Sequence, residues 1–254
     1  MKAKRLARGT LLGLVLPVFL VAWWQVAADR QWISPLFYPS PSDVLERTWD
    51  QVLNGSLVDD TRITAYRLLL GFAFGAAPGL VAGLASGVSR VVRELLYPLA
   101  TALYMVPRIA LLPLVLVALS LTDTARVFMV AFSVFFIVYF SALSGVEQVD
   151  RTHIDTARAF GAGRTRVAVS VLLPGAAPAV FSGLRVAMGF ALIVIVGTEF
   201  LAANDGLGAR IWKSYQIFDF VSMYAGIVAV TLLGVALAWV LLGAEWLALP
   251  WRRH

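Results

Sequence analysis

Residues 9–28, GTLLGLVLPVFLVAWWQVAA, contain no ionisable side chain, and other long apolar stretches follow along the chain. A helix needs about 20 such residues to cross the hydrocarbon core of a bilayer. Inside that core backbone amides and carbonyls meet no water, so only helices or closed barrels satisfy them. The period-two alternation of barrel strands is absent. The chain therefore reads as an all-α, polytopic integral membrane protein. Its composition agrees: of 254 residues 60% are apolar and 14% charged, with a mean hydropathy of +0.81, whereas a soluble domain carries roughly a quarter charged residues.

Six spans are expected within a single membrane domain, at about residues 10–28, 66–89, 95–121, 127–146, 180–202 and 220–244. The basic start and Val26-Ala27-Ala28 imitate a cleaved leader. The first run is longer than a leader core, however, and carries Trp23-Trp24, which suit an interfacial belt, so an uncleaved helix is expected. Asp29–Thr61 reads as an external loop holding a surface helix over Ser42–Leu53, capped by Ser42 or Asp43. In the second span Gly71, Gly75, Gly79, Gly83 and Gly87 recur every four residues, a stripe that lets another helix approach closely. The third span is interrupted by "MVPRIALLP". Pro107 and Pro113 are expected to kink or break it, with Arg108 between them. Val167–Leu184 is uncharged and long enough to suggest a seventh span, but Pro174, Gly175 and Pro178 interrupt it. A surface element turning into the fifth span fits better.

Charge counting sets the orientation. With the N-terminus inside, the inner segments hold Lys2, Lys4, Arg5, Arg8, Arg90, Arg93, Arg151, Arg158, Arg164, Arg166, Arg252 and Arg253. The outer ones hold Arg30, Arg47, Arg62, Arg126, Arg210 and Lys213. This asymmetry places both termini and the 150–174 segment in the cytoplasm. It also explains the net charge of +6 without any nucleic acid. With no cysteine and two histidines, no thiolate or histidine-rich metal site is available.

In the 150–174 segment Arg151, Asp155 and Arg158 share one helical face, and Ile154, Ala157 and Gly161 another. Gly161-Ala162-Gly163 stops that helix, and a second short one is expected over Arg164–Leu173, ending before Pro174. Physical reasoning leaves two readings open: an amphipathic helix lying on anionic lipid, or a knob that a partner's groove holds.

"DTARAFGAGRTRVAVSVLLP" resembles the EAA motif of ABC importer permeases: EAA, three residues, Gly, nine residues, Ile, one residue, Leu-Pro. Asp155, Thr156 and Ala157 stand at the EAA positions, Gly161 at the glycine, and Val171, Leu173 and Pro174 at the end. "YPSPSDVLERTW", "RLLLGFAFGAAPGLVAGLASG", "VPRIALLPLVLVALS" and "GLRVAMGFALIVIVGTEFLAANDGLG" are similar to the nitrate/sulfonate/taurine-type permeases. Where that family often has Trp-Phe-Gly, this chain has Val117-Ala118-Leu119-Ser120. The resemblance implies the type I ABC importer fold. It implies a second permease copy, most simply an identical one, two cytoplasmic ATPase subunits that use ATP and Mg, and a periplasmic or lipid-anchored binding protein, all at a bacterial cell membrane. The segment would then be the coupling element, with Thr156, Ala157 and Gly161 close to the ATPase cleft and Asp155, Arg158, Arg164 and Arg166 at its rim. The solute expected is small and anionic.

The chain has no phosphate-cradling loop of its own, because Trp212 precedes Lys213-Ser214 where a glycine is required. No histidine lies where a serine could use it, so no catalytic residue is assigned. Ser120 and Ser133 read as helix-packing polar groups. A self-sufficient secondary transporter or channel would need ionisable groups within its spans. The candidates are Glu199, Arg108 and Arg185. Glu199 and Arg185 are expected at the interfaces, snorkelling. Arg108 either faces an anion in the pathway or pairs with a carbonyl freed at Pro107. Pro107, Arg108, Pro113 and Glu199 are thus the pathway candidates. Asn204–Gly208, "NDGLG", reads as a surface turn.

Overall fold

A computed structural model describes residues 2–119 and 122–252; the side chains of residues 2–14, 202 and 252 lie outside this description, as do Ser120, Arg253 and His254 altogether. Among the described residues all regular structure is helical. In chain order the helices are α1 Lys2–Asp29, α2 Pro41–Leu53, α3 Ser56–Val88, α4 Arg90–Tyr104, α5 Arg108–Leu119, α6 Asp123–Glu147, α7 Arg151–Ala159, α8 Arg164–Val167, α9 Leu173–Ala202, α10 Leu207–Gln216 and α11 Phe220–Ala248.

The core is α3, α6 and α9. Leu68, Met129, Val130, Val134, Val138, Ala187, Ala191 and Ile195 form its buried centre. The glycine stripe of α3 is the packing face expected of it. A Cβ on Gly75 would stand 2.3 Å from the carbonyl oxygen of Ala131, and one on Gly79 2.5 Å from that of Phe135. Such backbone-to-backbone approach lets van der Waals contact hold helices together in lipid, where the hydrophobic effect supplies no attraction between them.

Among the described residues four helical stretches are long and apolar enough to cross a membrane: Ser56–Val88, Asp123–Glu147, Arg164–Leu201 and Phe220–Ala248. The third expected span is different. Its chain breaks at Met105–Pro107, and α4 and α5 meet at 96°, as a broken span or a re-entrant loop. Pro107 lacks an N–H and disfavours helical backbone in the residue before it, so the break falls there. Pro113 sits inside α5 without ending it. Helix α1, Lys2–Asp29, lies over the first expected span, and its part with described side chains, Val15–Asp29, is apolar; the described residues otherwise hold four spans, or five counting the bent pair as one.

Three further boundaries differ from the sequence reading. The cap of α2 is Ser40, whose hydroxyl accepts from the Asp43 amide at 3.2 Å, with Pro41 as the first helical residue; Ser42 instead binds Gln25 of α1. Next, α3 starts at Ser56, ten residues before the expected span, so the external loop is shorter. Finally, the helix at Arg164 does not stop before Pro174. It passes through one π-helical turn, Ala168–Leu172, into α9, with Pro174 in the first turn of that helix. A proline there removes an amide that the first turn leaves unpaired anyway.

Candidate functional site

The 150–174 segment stands at one end of the α3–α6–α9 core. Asp150 caps α7 by accepting from the Thr152 amide at 2.8 Å, and that bond holds its carboxyl below the usual range. No residue of α7 is buried. Its charged face, Arg151, Asp155 and Arg158, is exposed, while Ile154 and Ala157 are half-buried. Asp155 and Arg158 lie 4.0 Å apart in water, a pair that adds little. The helix ends as the glycine pattern implied: Gly161 has φ +81 and its amide donates to the Arg158 carbonyl at 2.8 Å. Gly161 has open space around it, so the conformation and not crowding asks for glycine. Phe160, just before it, is 88% exposed. Arg164, Arg166 and Leu173 are also exposed, and Pro174 is half-buried.

The two helices that carry this segment are locked together. A Cβ on Gly145 of α6 would meet the Ala176 carbonyl at 3.0 Å, and one on Gly175 would meet Val149 at 2.8 Å. At the same end Arg93 pairs with Glu147 at 2.7 Å, and the Tyr139 hydroxyl reaches Ser86 at 3.2 Å.

The opposite end holds a polar cluster that sequence reasoning missed. Arg67 of α3, 2% exposed, donates to Glu199 of α9 at 3.0 Å, to Asp123 of α6 at 2.8 Å and to Asp205 at 2.5 Å. Glu199 has no exposed surface; Thr64 and the Gly208 amide complete its bonds at 3.0 and 2.9 Å. Glu199 therefore does not snorkel at an interface. Nor is "NDGLG" a simple turn. Gly206 has φ +98 and gives its amide to Asp60 at 2.9 Å, and a Cβ there would lie 2.5 Å from Glu199. Arg210 of α10 closes the cluster on Asp60 at 2.6 Å. Arg67 carried the available signal: an ionisable residue within an apolar run has a partner by default. Arg185 also has one, pairing with Glu245 of α11.

Arg108 is the exception. It opens α5 at the break, its Cζ 4.8 Å from the Tyr104 ring centroid, and its buried Nε and Nη2 have no hydrogen-bond partner among the described residues. No carbonyl freed at Pro107 accepts from them. Among the described residues no group of side chains could hold a metal ion.

Comparison with known proteins accords with this plan. Residues 79–243 match the model of a family described as binding-protein-dependent transport system inner membrane component. The chain is 31% identical over 251 residues to a probable ABC transporter permease protein of Brucella abortus (strain 2308), covering 98% of this chain and 99% of that one. It is 33% identical over 219 residues to the putative aliphatic sulfonates transport permease protein SsuC of Escherichia coli (strain K12), covering 86% and 83%. It is 31% identical over 241 residues to the taurine transport system permease protein TauC of the same organism, covering 93% and 87%. A solved structure of the MetNI methionine ABC transporter in inward facing conformations shares the fold, with a TM-score of 0.53, 18% identity, and coverage of 78% of this chain and 94% of that one.

The chain belongs to the family of binding-protein-dependent transport system inner membrane components. Within it the chain is a permease subunit of an ABC importer: a transport component and not an enzyme, with ATP hydrolysis on a separate subunit. A substrate-binding protein is the other partner this family implies.

Proposed function

We propose that the protein forms, with a second copy of itself, the membrane pathway for a small sulfonate-type anion at a bacterial cell membrane, both termini and α7 lying in the cytoplasm. A binding protein delivers the solute to the α10 end. Two ATPase subunits, which hold ATP and Mg, grip α7. The observation that carries this reading is the setting of α7: a capped helix with no buried residue, slung between two helices that touch backbone to backbone.

That setting gives a mechanism. Thr156, Ala157 and Gly161 present a small-residue surface to the ATPase cleft, with Asp155, Arg158, Arg164 and Arg166 around it. When ATP draws the two ATPases together, force on α7 enters α6 at Gln148–Asp150. The Gly145–Ala176 and Gly175–Val149 contacts pass it to α9 near Leu173 and Pro174. At the far end Arg67 binds α6 and α9 through Asp123 and Glu199, so α3, α6 and α9 rock as one body. In this reading Glu199 holds the far end shut as a clamp, and Pro107 and Pro113 shape the pathway around Arg108. The sulfonate assignment is supported by the relatives named for aliphatic sulfonates and taurine, and by an arginine without a carboxylate partner.

The test is uptake of radiolabelled taurine into proteoliposomes holding the permease with and without its ATPase and binding protein. Uptake should require both partners and ATP. Uptake by the permease alone would instead establish a self-sufficient transporter.

A further inference from the structure

Arg67, Arg108, Arg126 and Arg185 do not have equal surroundings. Arg67 reaches Glu199, Asp123 and Asp205; Arg126 reaches Asp123 at 2.8 Å; Arg185 reaches Glu245. Arg108 has no carboxylate within ion-pair distance among the described residues, although its Nε and Nη2 are buried. Arg108 as a whole is half-buried, but buried N–H donors left without an acceptor are costly unless a ligand completes them. The Tyr104 ring covers one face of the guanidinium and leaves the in-plane N–H edge for a hydrogen-bonding partner. The amino end of α5 opens at the same residue, and its dipole also favours negative charge.

A polar groove lies two aromatic rings away. Tyr104 packs edge-on to Phe140 of α6, ring centroids 5.4 Å apart. Phe140 in turn borders a groove of about 460 Å³ between α6 and α9, lined by Ser141, Ser144 and Gln148 on one side and Ser182 and Gly183 on the other. Small polar side chains cluster there on helices whose other faces are apolar. Gly183 keeps the two helices in register: a Cβ on it would stand 2.2 Å from that of Ser141. The groove lies in the half of α6 nearer α7, so a solute leaving Arg108 along the hydroxyls would move toward the ATPase end.

Resting on the permease reading above, we propose that the membrane subunit itself holds a site for a small oxyanion of the sulfonate type at the α4–α5 break. Arg108 is its charged residue, and the Ser141, Ser144 and Ser182 hydroxyls form its exit path. Planar N–H pairs and hydroxyls suit an SO₃⁻ group, and the surrounding Phe140 and Tyr104 rings suit a short organic tail. The site would be weak, because a transported solute must also leave it.

The experiment titrates methanesulfonate into the permease–ATPase complex in nanodiscs, with sodium gluconate holding ionic strength constant, and reads the unfolding midpoint. The wild-type complex should show a saturable rise. Arg108→Gln should weaken the apparent affinity about tenfold or more, since charge-assisted bonds to the anion are lost. Arg108→Lys, which keeps charge but loses the planar fork, should weaken it less, and Ser144→Ala with Ser182→Ala should slow taurine uptake without abolishing the rise. Should Arg108→Gln fail to assemble, Arg108→Lys alone decides, and an unchanged midpoint concentration overturns the site. A rise that ignores both variants also overturns it. So does the absence of any rise in a wild-type complex whose ATP hydrolysis still responds to loaded binding protein, an outcome that leaves the importer reading standing. Loss of that response in the wild type would instead count against the importer reading.

Discussion

Arg67 and Glu199, 132 positions apart in the chain, meet at 3.0 Å with their side chains 3% and 0% exposed. The pair fastens α3 to α9 at the end remote from α7, and its surroundings make its two halves unequal. Arg67 has Asp123 and Asp205 besides Glu199, whereas Glu199 has Arg67 as its cation and two neutral donors, Thr64 and the Gly208 amide. Removing the arginine leaves a buried carboxylate without countercharge, which costs about 3–5 kcal/mol. Glu199→Gln leaves Arg67 with two acids and should cost less, about 1–3 kcal/mol. Thermal unfolding in detergent should rank Arg67→Met as the worse variant. Equal losses would show that the neighbouring acids do not share the charge.

The glycine stripe makes a second contrast. Gly75→Ala forces a methyl against the Ala131 carbonyl, 2.3 Å away. The expected loss is about 1–3 kcal/mol, typical of overpacking. Gly243→Ala meets nothing within 4 Å and should stabilise α11 by about 0.5–1 kcal/mol through helix propensity. Unfolding midpoints of the two purified variants moving in the same direction would remove the packing argument.

Topology can be read without altering other positions, because the chain has no cysteine. Phe160→Cys places a single thiol at an 88% exposed site. A membrane-impermeant maleimide should label it in inside-out vesicles and not in intact cells, and a bound ATPase should protect it. Labelling from outside would invert the proposed orientation.

Gly161→Asp should insert and fold, since aspartate tolerates positive φ at a cost of about 1–2 kcal/mol and the position has open space. Charge at that surface should separate ATP hydrolysis from taurine uptake in the reconstituted importer. Normal uptake would exclude Gly161 from the ATPase contact.

Acid should loosen the α10 end. Asp205 is held below the ordinary carboxylate range, first by its hydrogen bond from Arg67. A depressed carboxylate stabilises the fold fully above its unfolded value, about 3.9, and loses that contribution as pH falls through its folded value. Its side chain is 52% exposed, so solvent screening keeps the effect small. Asp205→Asn should therefore lower the unfolding midpoint at neutral pH and match the wild type in strong acid. A gap that widened on acidification would contradict the sign.

What the sequence carried was set by composition and short spacing. Uncharged runs decided membrane helices, because lipid offers no alternative partner for the backbone. Four-residue glycine spacing decided the packing face of α3, and Gly161 the end of α7, because both are properties of a single helix or turn. The EAA spacing carries the family resemblance, because it too lies within one short stretch of chain.

Boundaries and long-range pairs were decided by tertiary structure. Pro174 looked like a stop, yet it falls in the first turn of α9, where the missing amide costs nothing. Glu199 looked like an interfacial carboxylate until α3 brought Arg67 against it. The 96° break at Pro107 turned one expected span into two helices and left Arg108 alone in its setting. A chain can show from local pattern which groups are polar or bent; which polar groups find partners depends on helices distant in sequence. Here that difference separates Arg67, which the fold satisfies, from Arg108, whose Nε and Nη2 find no partner among the described residues.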